Sequence, residues 1–214
     1  MAGGKETPRQ KMIGMMYLVL TALLALNVSN AVLEKFAILN TTLQELRGEE
    51  ENNNFKTNQS IQEATSKSPK VQDAKKRALE VRTLTQDVIA KLDAVKENLT
   101  TDHKGIKMPE EELVLNTNIA EEKMLSSTNP KMGQDFEKIL VDYVVGLEGI
   151  SRMKFNKLNK KAEDYAEFRN NEHHKEKDFL HFTFEGTPTM SAITVISQLQ
   201  TEILEYESLA LDTL

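Results

Sequence analysis

MIGMMYLVLTALLALNV, residues 12–28, carries apolar side chains on every side of a helical cylinder. Met12, Ile13, Met15, Met16, Leu18, Val19, Leu20, Leu23, Leu24 and Leu26 leave no polar face for water, a pattern that belongs in lipid. Ser29 through Leu33 continue the run before Glu34 and Lys35 close it. A helix over residues 10–33 rises roughly 36 Å at about 1.5 Å per residue. That spans a bilayer core of about 30 Å with some tilt.

The residues before the run read as a helix start. Thr7 stands at the N-cap, Pro8 at the first helical position and Gln10 three residues after the threonine, which is a capping box. Lys5, Arg9 and Lys11 outnumber Glu6 on this side, so residues 1–7 are expected in the cytoplasm, residues 8–33 in the membrane and residues 34–214 outside it. Ser29-Asn30-Ala31 also reads as a tolerable signal-peptidase site, but the apolar run is long for a signal peptide and the helical pattern continues across it. An uncleaved anchor is the preferred reading. The chain has no cysteine, which excludes a lipoprotein anchor and disulfides.

Beyond the anchor there is enough chain for one domain with a core of its own. A formal net charge of −6 argues against a nucleic-acid partner. Nine glycines, five prolines and 28% charged residues suit long helices with charged faces.

Leu33, Phe36, Leu39, Leu43 and Leu46 recur at three- and four-residue steps and extend the membrane helix as an amphipathic stem to about Arg47. Gly48 and EEENNNFKTNQS then loosen it, either as a frayed continuation or as a loop. Over residues 70–99 a heptad seam runs through Val71, Ala74, Ala78, Val81, Thr85, Val88, Leu92, Val95 and Leu99, opened by Ser68-Pro69 and stopped by residues 100–105. A weaker helical piece follows Pro109 and ends at residues 126–130. Phe136, Leu140, Tyr143, Leu147 and Ile150 then predict a helix of more than 30 residues that fades toward Phe168. FLHFTF, residues 179–184, alternates with period two and reads as one short extended segment. Ala192, Ile196, Leu199, Ile203, Tyr206 and Ala210 mark a last helix. The expected fold is mainly α: a single N-terminal transmembrane helix continuing into an up-and-down periplasmic helical bundle with one extended segment.

Chemistry-bearing constellations are sparse. His173, His174 and His181 with Glu172 and Glu176 fit no standard zinc spacing, and no nucleophile motif or phosphate-binding loop is present. Neither an enzyme nor a cofactor or metal site is expected. Within the span, Arg9, Tyr17 and Thr21 fall on roughly one side of a helix, where a partner helix can offer a carboxylate to Arg9. The plain reading makes Arg9 an orientation signal, Tyr17 a packing residue and Asn27 and Asn30 interfacial residues. The span holds no Asp or Glu, and an arginine stays protonated at physiological pH. A proton carrier, if the protein serves a proton-driven machine, therefore sits on another subunit.

MAGGKETPRQKMIGMMYLVLTALLALNVSNAVLEKF at the start and FTFEGTPTMSAITVISQLQTEILEYESLALDTL at the end closely resemble the gliding-motility and type 9 secretion motor protein M (GldM/PorM) family. The resemblance implies a rotary-type motor in a bacterial inner membrane, driven by proton-motive force, with residues 34–214 in the periplasm. In it two M chains pass their helices through a ring of multi-span L subunits, and the periplasmic part transmits movement to downstream periplasmic and outer-membrane components. Family members are longer, so this chain is expected to be the anchor and first periplasmic domain of a longer protein. By the resemblance Arg9 pairs with a glutamate of the L subunit, Tyr17 lies on the L-facing side, and Leu20, Leu24 and Asn27 pack against the second M chain. No catalytic residue is carried over, because the titrating carboxylate of the family belongs to L. Two other readings stand beside it. One is a membrane-anchored four-helix sensor, weakened because the charged last helix cannot return through the membrane; the other is a secreted helical adaptor with its leader removed.

Overall fold

A computed structural model describes residues 8–126 and 131–214, with side chains for all of these except residues 22–29. The first helix, α1, runs Pro8–Glu63 without interruption. The expected cap at Thr7 and the stop at residues 127–130 lie outside the described residues. Gly48 and the polar tract after it stay helical, because buried Asn54 bonds Leu204 O and Glu207 across the bundle, and packing outweighs weak propensity.

Helix α2, Pro69–Leu99, starts at Ser68, whose hydroxyl accepts from Val71 N–H. Its seam is buried at Ala78, Val81, Thr85, Val88, Leu92 and Leu99, and α5 and α7 cover it. After it, Thr101 and Lys107 form an isolated antiparallel bridge. The Asp102 carboxylate accepts the N–H groups of Lys104 and Ile106, and Gly105 takes the positive φ of +78° that the tight turn needs.

The piece after Pro109 is two short helices, α3 (Glu110–Leu115) and α4 (Ile119–Met124). Asn116 divides them: its side-chain oxygen accepts from the N–H groups of Asn118 and Ile119 and from the Thr189 hydroxyl.

Helix α5 is Lys131–Ser151, shorter than the sequence reading expects. It ends where Arg77 of α2 donates to the carbonyls of Ile150 and Ser151, followed by Arg152 at φ +63°. The segment expected to be extended is a helix, α6, Phe179–Phe184. Asp178 caps it by accepting from His181 N–H. The alternation misleads because its phenylalanines serve different neighbours. Phe179 and Phe184 pack on Phe136 at 6.0 and 5.6 Å, while Phe182 packs on Tyr165, Phe168 and His174. Among the described residues there is no strand.

Helix α7, Thr189–Asp212, is the centre of the bundle and buries Ala192, Ile193, Ile196, Ile203, Leu204 and Ala210. Tyr143 donates to Ile203 O at 2.9 Å and meets the Thr85 hydroxyl at 3.2 Å, so its hydroxyl is satisfied in the core. The connectivity is not strictly up-and-down. Gln62 reaches Lys75 O and Thr194 reaches Phe36 O, so α2 is antiparallel to α1 and α7 is parallel to it. Arg77 at the start of α2 meets the end of α5, so α5 also runs with α1. Residues 152–188 return along the outside of the bundle to allow this, anchored by buried Leu158 and Ala162.

Candidate functional site

The N-terminal part of α1 exposes its apolar residues all round: Met12, Met16, Tyr17, Leu18 and Leu20 are each about 59–71% exposed. Arg9 is exposed one turn below them. At about 100° per residue Arg9, Tyr17 and Thr21 lie within a third of the helix circumference. The Thr21 hydroxyl donates to Tyr17 O at 2.8 Å, so it is satisfied inside its own helix. Of the residues expected to pack two helices together, Leu20 is exposed, and the side chains of Leu24 and Asn27 lie outside the described residues. Among the described residues no helix is long and apolar enough to cross a membrane; residues 22–29, the middle of the apolar run, are not among those with described side chains.

Behind this helix the structure assembles a feature that the leucine pattern of the stem conceals. Leu39 and Leu46 point outward at 47% and 44% exposure, whereas Asn40, Arg47 and Asn54, seven residues apart, face the bundle with Leu33 and Ile61. Ser197 donates to Asn40 Oδ1 at 2.6 Å and accepts from Lys96 at 2.7 Å. Arg47 forks onto both oxygens of Asp93 at 2.7 and 2.8 Å, and Gln200 donates to the same carboxylate at 2.8 Å. Higher up, Asn54 donates to Leu204 O at 2.8 Å and to Glu207 at 3.0 Å, and Arg82 meets Glu207 at 3.1 Å. Arg82 and Glu207 side chains are 8% and 0% exposed, with Glu51 3.7 Å from Arg82 on the outer side.

The electrostatics follow from burial and pairing. Burial pushes the Glu207 carboxyl above its ordinary range, against the pull of Arg82 and Asn54. Burial would also raise Asp93, but the bonds from Arg47 and Gln200 win and its pKa lies below the usual value. Burial lowers Lys96, with Asp93 opposing it. This seam is built for registration rather than chemistry. Sliding α1 by one turn would break the Arg47 fork on Asp93 and the bonds of Asn54 to Leu204 O and Glu207, so the seam fixes the register of α1 against α2 and α7. Its signal in the sequence is the seven-residue repeat of polar residues in α1, matched by Ser197, Gln200 and Glu207 among the apolar residues of α7.

His174 and His181 make local contacts. His181 bonds Asp178 at the α6 cap, and His174 lies edge-on to Phe168 and Phe182. Among the described residues no group of three or more histidine or acidic side chains is placed to hold a metal ion.

Residues 31–214 match the family model described as the GldM N-terminal domain. Among curated proteins no relative matches the chain.

Proposed function

The chain belongs to the GldM N-terminal domain family, a family of gliding motility and type 9 secretion, and from that premise we propose that it is the inner-membrane M subunit of a motor driven by proton-motive force. In this reading residues 8–33 cross the inner membrane with the N-terminus in the cytoplasm, and Arg9 and Tyr17 face a ring of multi-span L subunits. Arg9 is the fixed positive counter-ion to a titrating carboxylate on that ring, since it cannot itself release a proton. A second copy of the chain pairs through Leu20, Leu24 and Asn27 in lipid. Above the bilayer it pairs along Val32, Leu39 and Leu46, an exposed apolar stripe repeating every seven residues. Further domains of a longer protein carry the movement on to downstream periplasmic and outer-membrane components.

The observation that supports this reading is the continuity of α1 from the Arg9 turn to Glu63, with its second half bolted to α2 and α7.

The test is to replace Arg9 by Ala and by Lys in the native protein, then recover its membrane partners and score secretion and gliding. We expect a multi-span partner to co-purify in all cases, transport to be lost in Arg9→Ala, and Arg9→Lys to keep part of it. If transport is unaffected by Arg9→Ala while Lys5 and Lys11 maintain the topology, Arg9 is an orientation signal only and the motor reading fails.

A further inference from the structure

The registration of the helices fixes how high the bundle stands above the end of the apolar run. Lys96 bonds Ser197, which bonds Asn40, so α2 at Lys96 is level with α1 at Asn40. The helices are antiparallel and each rises about 1.5 Å per residue, so Leu99 is level with about residue 37, and the turn beyond it with about residues 31–35. Helix α3 reaches the same level independently, because Glu110, Glu111, Val114 and Leu115 line one groove with Asn30, Glu34, Ala37 and Ile38 of α1. There is thus no spacer between the apolar run, which closes at Leu33, and the lower end of the bundle.

That end carries the wrong surface for water. Ile106 is 63% exposed at the tip of the turn that Asp102 pins through two backbone N–H groups, and Leu115 is 52% exposed at the end of α3. Neither is a fraying side chain on a loose loop. Lys104 and Lys107 flank Ile106 and are exposed, with stems long enough to keep their ammonium groups at phosphate level.

We propose that this end of the bundle rests on the bilayer surface, with Ile106 and Leu115 set into the lipid interface beside the point where α1 leaves it. The proposal rests on reading residues 12–28 as a membrane span. Glu34, Glu110 and Glu111 in the same groove oppose an anionic surface, so insertion of apolar side chains holds the contact and zwitterionic lipid suffices. The consequence is a fixed tilt: the bundle cannot pivot freely on its anchor.

The chain has no cysteine, so single probes can be placed at will. The whole chain is reconstituted in phosphatidylethanolamine–phosphatidylcholine vesicles with a fluorophore on Ile106→Cys, Leu115→Cys, Val19→Cys or Lys67→Cys, the last in the loop at the opposite end of the bundle. A quencher carried at headgroup depth is compared with one dissolved in water. We expect lipid-borne quenching at 106 and 115 several-fold above that at 67, and 19 shielded from the dissolved quencher. Shielding from water at 19 with 106 and 115 as water-accessible as 67 overturns the docking and leaves the anchor standing. Water access at 19 overturns both. Positions 106 and 115 shielded from water yet untouched by the lipid quencher would mean that another protein surface covers them, which also overturns the lipid assignment.

Discussion

Glu207 is the residue on which the polar seam turns. Its side chain is wholly buried between Arg82 and Asn54, and burial pushes its pKa up despite both partners. A carboxyl whose folded pKa is raised binds its proton more tightly in the folded than in the unfolded state. Its contribution to stability is therefore fullest below the unfolded pKa and declines as pH rises through the folded one. Glu207→Gln keeps an acceptor for Arg82 and Asn54 but does not titrate. The advantage of wild type over Glu207→Gln should accordingly shrink as pH rises above the ordinary carboxylate value of 4.5 in urea unfolding, the reverse of a surface ion pair. An advantage that grows with pH would mean that Arg82 outweighs burial.

Among the elements, the junction of α4 and α5 is the tightest. A Cβ at Gly133 would lie 2.1 Å from the carbonyl oxygen of Met124, a backbone atom that can move only if α4 moves. Gly133→Ala should cost about 1–3 kcal/mol through overpacking. Gly149, near the other end of the same helix, has nothing within 4 Å of the same position. Gly149→Ala should stabilise by about 0.5–1 kcal/mol by restricting the unfolded chain. Thermal melts of the two variants measure the contrast, and equal effects would show that α4 does not bear on α5. The same scale explains α6. Six residues are too few to separate a two-residue from a 3.6-residue period when the phenylalanines face two clusters, and only the Asp178 cap marks the helix.

For the whole molecule, α1 is a rod of 56 residues, about 84 Å long at about 1.5 Å per residue. If it is the lever of a motor, its stiffness matters more than any contact it makes. Gly48 sits on its exposed side with nothing within 4 Å. Gly48→Pro would remove one helical hydrogen bond and kink the rod at a cost of about 3 kcal/mol, with the bundle still folded and anchored. Transport should fail in Gly48→Pro and persist in Gly48→Ala, with circular dichroism checking that both fold. Intact transport in the proline variant would make α1 a tether.

Local chemistry made part of this legible in advance. Ser68-Pro69 and the turn after Leu99 mark helix boundaries through caps that depend only on their neighbours, and the seams of α2 and α5 announce which faces are buried. The GldM kinship was also readable from residues at both ends, and residues 31–214 match that family. Three features required the assembled bundle. The end of α5 depends on Arg77 from another helix, the inward face of α1 on polar partners in α7 and α2, and the parallel run of α5 and α7 on a return segment with no period of its own. In each case the deciding partner is far away in the chain: Leu39 and Leu46 look like core by spacing, but α7 offers Ser197, Gln200 and Glu207, and those select Asn40, Arg47 and Asn54 instead.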